Sequence, residues 1–475
     1  MVDVSQRDVS QPDVSQPDVG PVAAVTRLGR RGRGELRDFG RSLRERVPLD
    51  AHGECPPAER DPVAILQRQA ASRIPDLVPL RHARMAASPF TFYRGGAAVM
   101  AADLARTTST GVHVQACGDA HLLNFGLFGS AERRIVFDIN DFDETLPGPW
   151  EWDLKRLAAS VVLAARSLGL DTQLQRGIVA GSVCEYATYL SELAELSTLD
   201  VWYADVDAVE VSGDIKNTAM RRSAARAVDK ARRRTNLRAF EKLTQVRDGR
   251  RVIVDDPPVV EHLADISMTS VLGFLEGYAE TLSDDRRRLL SEFELVDAAR
   301  KVVGVGSVGT RCYVMVGQGR AGLDPLILQV KEAEDSVLAP FIGASEYDHK
   351  GRRVVEGQRL MQATSDLFLG WSTGDGYQFY VRQLRDMKGG IEIEGSTPDE
   401  FEHYAKLCAA TLARAHARSL DPAVIAGYCG KGRKLGSAIA RFAEVYADLS
   451  ERDHAIFLDA IAAGEIPAAV VARND

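Results

Sequence analysis

The residues best suited to chemistry fall into two groups. The first is Asp119, with Asn124 five positions later in "GDAHLLN" and Asp141 beyond it in "IVFDINDFDE". Phosphoryl transfer needs a carboxylate to orient or accept the proton of a nucleophile, an amide oxygen for a divalent cation, and a second carboxylate for the same cation. Asp119, Asn124 and Asp141 supply that set, and His121 lies between the first two as a further catalytic candidate. Hard oxygen donors of this kind favour Mg²⁺ over zinc. Asp138 and Asp143 flank Asp141, so spacing assigns the cation to the acidic cluster, with Asn124, Asp141 and Asp143 as the expected ligands. The second group is Gly304-Val-Gly306-Ser307-Val-Gly309, followed by Lys331 inside the apolar run "LILQVKEA". Glycines so spaced let the backbone approach phosphate oxygens, and a lone lysine in an apolar strand needs either an anion or an edge from which to reach water.

These groups need elements to position them. Acids follow the β-prone run "RRIVFDI", and a helix is predicted from about Trp152. Residues 170–300 read mainly as helices, including a basic segment from Lys216 to Lys242 that is either an exposed insertion or a flap over an anionic substrate. Between Val302 and Arg382 short β-prone runs predict a small antiparallel sheet with one helix near "RRVVEGQRLMQ". The chain therefore divides into a disordered or extended basic tail (1–60), a first helical part with the acidic segment (61–299), a β-rich part (300–390) and closing helices (391–475). The tail carries the repeats DVSQR, DVSQP, DVSQP, too poor in bulky residues to offset ordering entropy.

A net charge of -8 over 475 residues argues against bulk binding to nucleic acid. No apolar run is long enough for a membrane span, and no charged-then-apolar leader opens the chain, so a cytoplasmic protein is expected. Six scattered cysteines form no CxxC pair and are expected as reduced thiols. Oligomeric state is not legible.

A dinucleotide-binding turn would open a helix inside the glycine motif, whereas β-prone "TRCYVMV" follows here. Glycine loop, strand and strand lysine instead resemble the protein-kinase-like pattern, in which the lysine pairs phosphates and a helix glutamate. Glu356 is the expected glutamate, with Glu346 second. The segments "SPFTFYRG", "GDAHLLNFG", "DINDFDE" and "WDLKRLAAS" together resemble the bacterial domain-of-unknown-function 2252 family over most of the chain after residue 60. They are also similar to the aminoglycoside-phosphotransferase branch of kinase-like enzymes. That resemblance implies Asp119 as catalytic base, Asn124 and Asp141 as metal ligands, and Asp153 as a buried brace. Cys117 departs from the usual histidine and puts the support of the loop in question.

Order departs too: the glycine loop follows the catalytic segment. A circularly permuted two-lobed α+β fold accounts for this, with 300–390 as the small nucleotide-gripping lobe, "YQFYVRQLRDMK" as the hinge and "CAATLARAHARS" as a core helix. The expected activity is ATP- and Mg²⁺-dependent phosphotransfer to an unidentified small-molecule or protein hydroxyl. Competing readings are nucleotidyl transfer, an inactive nucleotide-sensing module, and a metal-dependent phosphohydrolase built on Asp119, His121, Asp138, Asp141 and Asp143. His416 is expected as a core histidine, Trp150 and Trp152 as packing residues, and Arg94 either pairs a buried acid or binds phosphate.

Overall fold

The computed structural model describes residues 32–469 apart from 58, 216, 234–235, 248–249, 263–267, 303, 320–323, 385–388 and 391. The expected tail is corrected within that range by a helix, α1 (Arg33–Arg46). Its Leu36, Gly40 and Leu43 recur at helical spacing and are buried, and Gly40 has no room for a Cβ against the Val424 carbonyl. An apolar stripe thus outweighs the arginines around it. The repeats, at 1–20, lie outside the described residues.

Helix α2 (Pro89–Gly95) starts at a Ser88 cap with proline in its first turn. Four short strands follow, β1 (His113–Ala116), β2 (Phe125–Gly129), β3 (Ile135–Ile139) and β4 (Leu146–Pro149). β1 pairs antiparallel with β4 and β2 with β3. The β1–β2 connection carries Asp119 and His121, and the β3–β4 connection carries Asp141 and Asp143. Helices α3 (Trp150–Ser167) and α4 (Thr172–Leu193) come next, α3 being buried from Trp150 to Ala165. Trp150 and Trp152 join Phe137, Tyr186, Tyr404 and Leu412 in the main core.

The basic segment forms α5 (Thr218–Arg232) and α6 (Asn236–Leu243), followed by the hairpin β5 (Thr244–Arg247) and β6 (Arg250–Ile253). Lys216 and Arg234 of that segment lie outside the described residues. Beyond it, six strands build one antiparallel sheet: β7 (Val260–Glu261), β8 (Phe293–Lys301), β9 (Cys312–Gly319), β10 (Pro325–Glu332), β11 (Gly370–Gly374) and β12 (Tyr377–Gln383). Their order across the sheet is β11-β12-β10-β9-β8-β7. The sheet begins before residue 300, with β7 and β8, which corrects the mainly helical reading of 170–300; β8 is half-buried along most of its length, so its sequence shows no clean alternation to read.

One face of the sheet packs Met315, Leu328, Val330, Phe379 and Val381 against helix α7 (Met268–Glu280), through Phe274 and Tyr278. The opposite face is divided. Phe240 of α6 and Ile253 of β6 cover Val314, Val316 and Ile327. Lys331, Tyr380 and Arg382, farther along the same face, meet the β3–β4 connection. Helix α8 (Lys350–Met361) lies between β10 and β11 in the chain, and α9 (Pro398–Ala417), α10 (Pro422–Cys429) and α11 (Arg433–Ala462) complete the helical part. The fold is therefore a mixed α+β architecture. All six cysteines are free, and among the described residues no helix is long and apolar enough to cross a membrane.

Candidate functional site

After β1 the chain turns at Gly118, whose φ of 81° and lack of room for a Cβ against Glu144 both require glycine. Asp153, in the first turn of α3, accepts from the Cys117 and Gly118 backbone N–H groups at 2.6 and 2.9 Å. His416 Nε2 reaches the same carboxylate at 3.2 Å. Asp153 is therefore the buried brace of this turn, and His416 is a core residue that supports it. Cys117 is fully buried with its thiol toward the Asp141 carbonyl at 3.5 Å, so the missing histidine leaves no gap in the loop's support.

The brace presents Asp119. Arg156, one turn beyond Asp153 on α3, donates from Nε to Asp119 Oδ1 at 2.5 Å. Asn124 closes the loop by donating from its amide nitrogen to the Asp119 carbonyl at 2.7 Å, which leaves its amide oxygen for a cation. Burial raises the Asp119 pKa to about 6 even though Arg156 opposes the shift. His121 Nε2 stands 3.9 Å from Asp119 Oδ2. Burial, reinforced by Arg94 and Arg156, holds the His121 pKa well below its usual value, so the ring is neutral.

The β2–β3 hairpin brings the acidic cluster alongside. Asn140 N–H donates to the Asn124 carbonyl at 2.8 Å, setting Asp141 beside Asn124. The Lys331 side chain is 2 % exposed, and its Nζ lies 3.4 Å from Asp141 Oδ2 and also pairs with Asp143. Burial disfavours the ammonium, but Asp141 and Asp143 outweigh it and hold the Lys331 pKa well above the usual value. Asp141 is likewise desolvated, and Lys331 with Arg382 keeps it below the ordinary carboxylate range. Asp143 is more fully engaged, accepting from the Tyr380 hydroxyl at 2.7 Å and lying 3.4 Å from Ser307 Oγ. Asp138 turns away: it pairs with the buried Arg414 and accepts from Ile139 and Ala363 N–H groups.

The glycine loop joins the neighbouring antiparallel strands β8 and β9, and no helix opens within it. Gly304 and Gly309 have φ of 67° and 92°. Arg84 donates to the Gly304 carbonyl at 2.6 Å, Arg73 to that of Val308 at 2.5 Å, and the Ile74 N–H to that of Gly309 at 2.8 Å. Gly304, Gly306 and Ser307 line one cleft together with Asp119, His121, Asn124, Asp141 and Asp143. Gly309 sits at the base of the loop, where an added Cβ would stand 3.1 Å from the Arg73 side chain. Val303 lies outside the described residues.

Glu356 does not join Lys331. It stands between Arg352 and Arg359 on its own helix, 4.0 and 3.4 Å away, an i,i+4 and i,i+3 arrangement that engages it there. Glu346 is exposed. The residue α8 does send toward the site is Arg353, which donates to the carbonyls of Thr145, Asp143 and Glu334 at 2.6, 2.7 and 2.9 Å. Arg156, Tyr380 and Arg353 were not singled out from the sequence. Only the i,i+3 spacing of Asp153 and Arg156 on a predicted helix gave a signal.

Among the described residues no group of three or more His, Cys, Asp or Glu side chains is arranged to hold a metal by itself. Mg²⁺ is commonly held by one or two carboxylates together with substrate phosphates and water, and the Asp141 carboxylate with the free Asn124 amide oxygen fits that kind of site. A four-ligand zinc centre does not fit.

A family model described as "Uncharacterized protein conserved in bacteria (DUF2252)" matches residues 73–460, a span that contains every residue of this cleft discussed above. The chain belongs to that family. No curated protein and no solved structure matches it.

Proposed function

We propose that this DUF2252 family member is an ATP- and Mg²⁺-dependent phosphotransferase with a protein-kinase-like, circularly permuted arrangement of its parts, acting on a hydroxyl acceptor. One observation carries the reading: a lysine from the middle of a sheet, 190 residues distant in sequence, meets the acids that follow the Asp119–Asn124 loop. A lysine serving only to reach water would lie at an edge, whereas Lys331 is 2 % exposed in a strand hydrogen-bonded on both sides.

In this reading the backbone of Gly304 to Ser307 cradles phosphates and Lys331 neutralises them from the sheet side. Asp141 and Asn124 hold the cation, which supplies charge neutralisation at the phosphate oxygens when bound. Asp119 keeps Oδ1 on Arg156 and offers Oδ2 to the acceptor hydroxyl, orienting it and taking its proton. The fixed Arg156 contact removes rotational freedom from the base before substrate arrives. The phosphohydrolase alternative loses a ligand, because Asp138 is locked in a buried ion pair.

Titration calorimetry with Mg-ATP and mass analysis of products test the proposal. Wild-type protein is expected to bind Mg-ATP, Asp141→Asn to bind it at least about tenfold more weakly, and ADP to accumulate in preference to AMP and pyrophosphate. Phosphate release driven by transition metals and indifferent to ATP would refute the reading, and AMP with pyrophosphate would redirect it to nucleotidyl transfer.

A further inference from the structure

Two arginines line the cleft, and they differ in one respect. Arg73 donates to the Val308 carbonyl behind the glycine loop. Arg94 has no hydrogen-bond or ion-pair partner among the described residues, and its Nε is buried. Arg94 is half-buried at the cleft wall, and this partial desolvation lowers its pKa against the opposing pull of Asp119. Asp119 already carries a salt bridge to Arg156. A partly desolvated guanidinium with no hydrogen-bonded acid of its own is poised for an anion, and its place on the cleft wall beside Asp119 points to one that forms or moves there during the reaction.

Placement narrows which anion. Arg94 lies in the last turn of α2, between the buried Phe92 and Tyr93 on one side and Gly95 on the other. The backbone there is pinned: Arg81 donates to the Gly95 carbonyl at 3.0 Å and Arg156 to that of Tyr93 at 3.1 Å. The Arg94 carbonyl is 3.7 Å from the point a Cβ would occupy on Gly306. Arg94 therefore stands where the glycine loop meets the Asp119–His121 segment, whereas Lys331 stands on Asp141 and Asp143. An anion held by the loop on one side and approached by the acceptor beside Asp119 on the other is the phosphoryl group in transit.

We infer that Arg94 is the residue that contacts the equatorial oxygens of the phosphoryl group in transit, an inference that rests on the phosphotransferase reading above. The acceptor oxygen forms its bond to the γ-phosphorus as the bond to the β,γ-bridging oxygen breaks. That bond's electron pair leaves with ADP, and the acceptor's proton passes to Asp119. Arg94 meets the equatorial oxygens while charge is spread across them, and its planar fork suits that geometry better than a lysine does.

The test uses Mg-ADP with and without fluoroaluminate, a mimic of the phosphoryl group in transit that needs no acceptor. In the wild type, fluoroaluminate is expected to tighten ADP binding by about 100-fold or more, as mimics of a transition state do. Arg94→Met and Arg94→Lys should lose nearly all of that tightening while binding Mg-ATP within about threefold of wild type, since the contact belongs to transfer and not to resting binding. Because Arg94 is unpartnered, Arg94→Met should melt at the same temperature as the ligand-free wild type or higher, and free guanidinium should restore part of the tightening. Full tightening in Arg94→Met overturns the inference, as does a lowered melting temperature with tightening intact. Loss of Mg-ATP binding equal to that of Lys331→Ala also overturns it, by making Arg94 a ground-state phosphate ligand. A wild type that binds no Mg-ATP overturns the phosphotransferase reading itself, an outcome visible before any Arg94 variant is compared.

Discussion

Replacing Lys331 by alanine separates a structural ion pair from a nucleotide clamp. Lys331 Nζ lies 3.4 Å from Asp141, which corresponds to roughly 5 kcal/mol of attraction at an effective dielectric of 20. Desolvation of the ammonium, on a residue only 2 % exposed, offsets much of this. Removing one member of a buried pair costs about 3–5 kcal/mol, because the partner charge is left uncompensated. Here the partners Asp141 and Asp143 are 33 % and 28 % exposed and regain some hydration, so about 2–3 kcal/mol is the expected loss for the ligand-free protein. Thermal melting across a Mg-ATP titration provides the second measurement. Ligand at 100 times its dissociation constant stabilises the wild type by about 2.7 kcal/mol. Lys331→Ala should show the lower starting stability and almost none of that ligand-dependent gain. A variant that is destabilised as calculated yet keeps the whole Mg-ATP increment would mean that the lysine only glues the sheet to the acidic segment, and the proposed chemistry would lose its central residue.

Three further outcomes follow from the same geometry. Asp119 keeps its proton to about pH 6 in the folded chain, so turnover should fall as pH drops through about 6, and Arg156→Met should move that limb upward because the guanidinium is what restrains the shift; a limb that does not move assigns it to another group. Glu356→Gln should leave Mg-ATP affinity unchanged and stability within about 0.5 kcal/mol, since its arginine neighbours are partly exposed; a large loss of affinity in calorimetry would restore the expected lysine–glutamate pair. Asp138→Asn strands Arg414, which is fully buried, and should cost about 3–5 kcal/mol in melting experiments without weakening Mg-ATP binding to the folded fraction; the reverse pattern would make Asp138 a metal ligand.

What the sequence made legible was local. The interval from Asp119 to Asn124 is closed by a hydrogen bond within its own loop, so spacing alone could carry it. The glycine loop and Lys331 were readable because each contrasts with its neighbours: flexible residues between β-prone runs, and a charge among aliphatics. Spacing favoured Asp141 and Asp143 but gave no physical ground for setting Asp138 aside, because Asp138 lies in β3, which is buried at every position, so a period of two conveys nothing about where it points. The orientation of α8 was equally hidden. A rotation of one residue is about 100°, so a pattern that locates the helix cannot say whether Glu356 or Arg353 faces the acids. In α1 the arginines masked an apolar stripe only three residues deep.

Asp143 shows why the site is indifferent to chain order. Its side chain touches Ser307, Lys331 and Tyr380, which are 164, 188 and 237 residues away, and its carbonyl is held by Arg353, 210 residues away. None of these contacts depends on whether the glycine loop is translated before or after the acidic segment; each depends only on β9, β10 and β12 being in register and on the β3–β4 connection reaching them. Closing loops of this length has an entropic cost that must be offset by the packed sheet and helices on either side of the cleft. The cleft is therefore a property of the complete fold. Truncations that remove either the acidic segment or the sheet should abolish it, and with it the proposed nucleotide binding, while a chain circularly permuted so that the glycine loop and Lys331 precede the acidic segment should keep it.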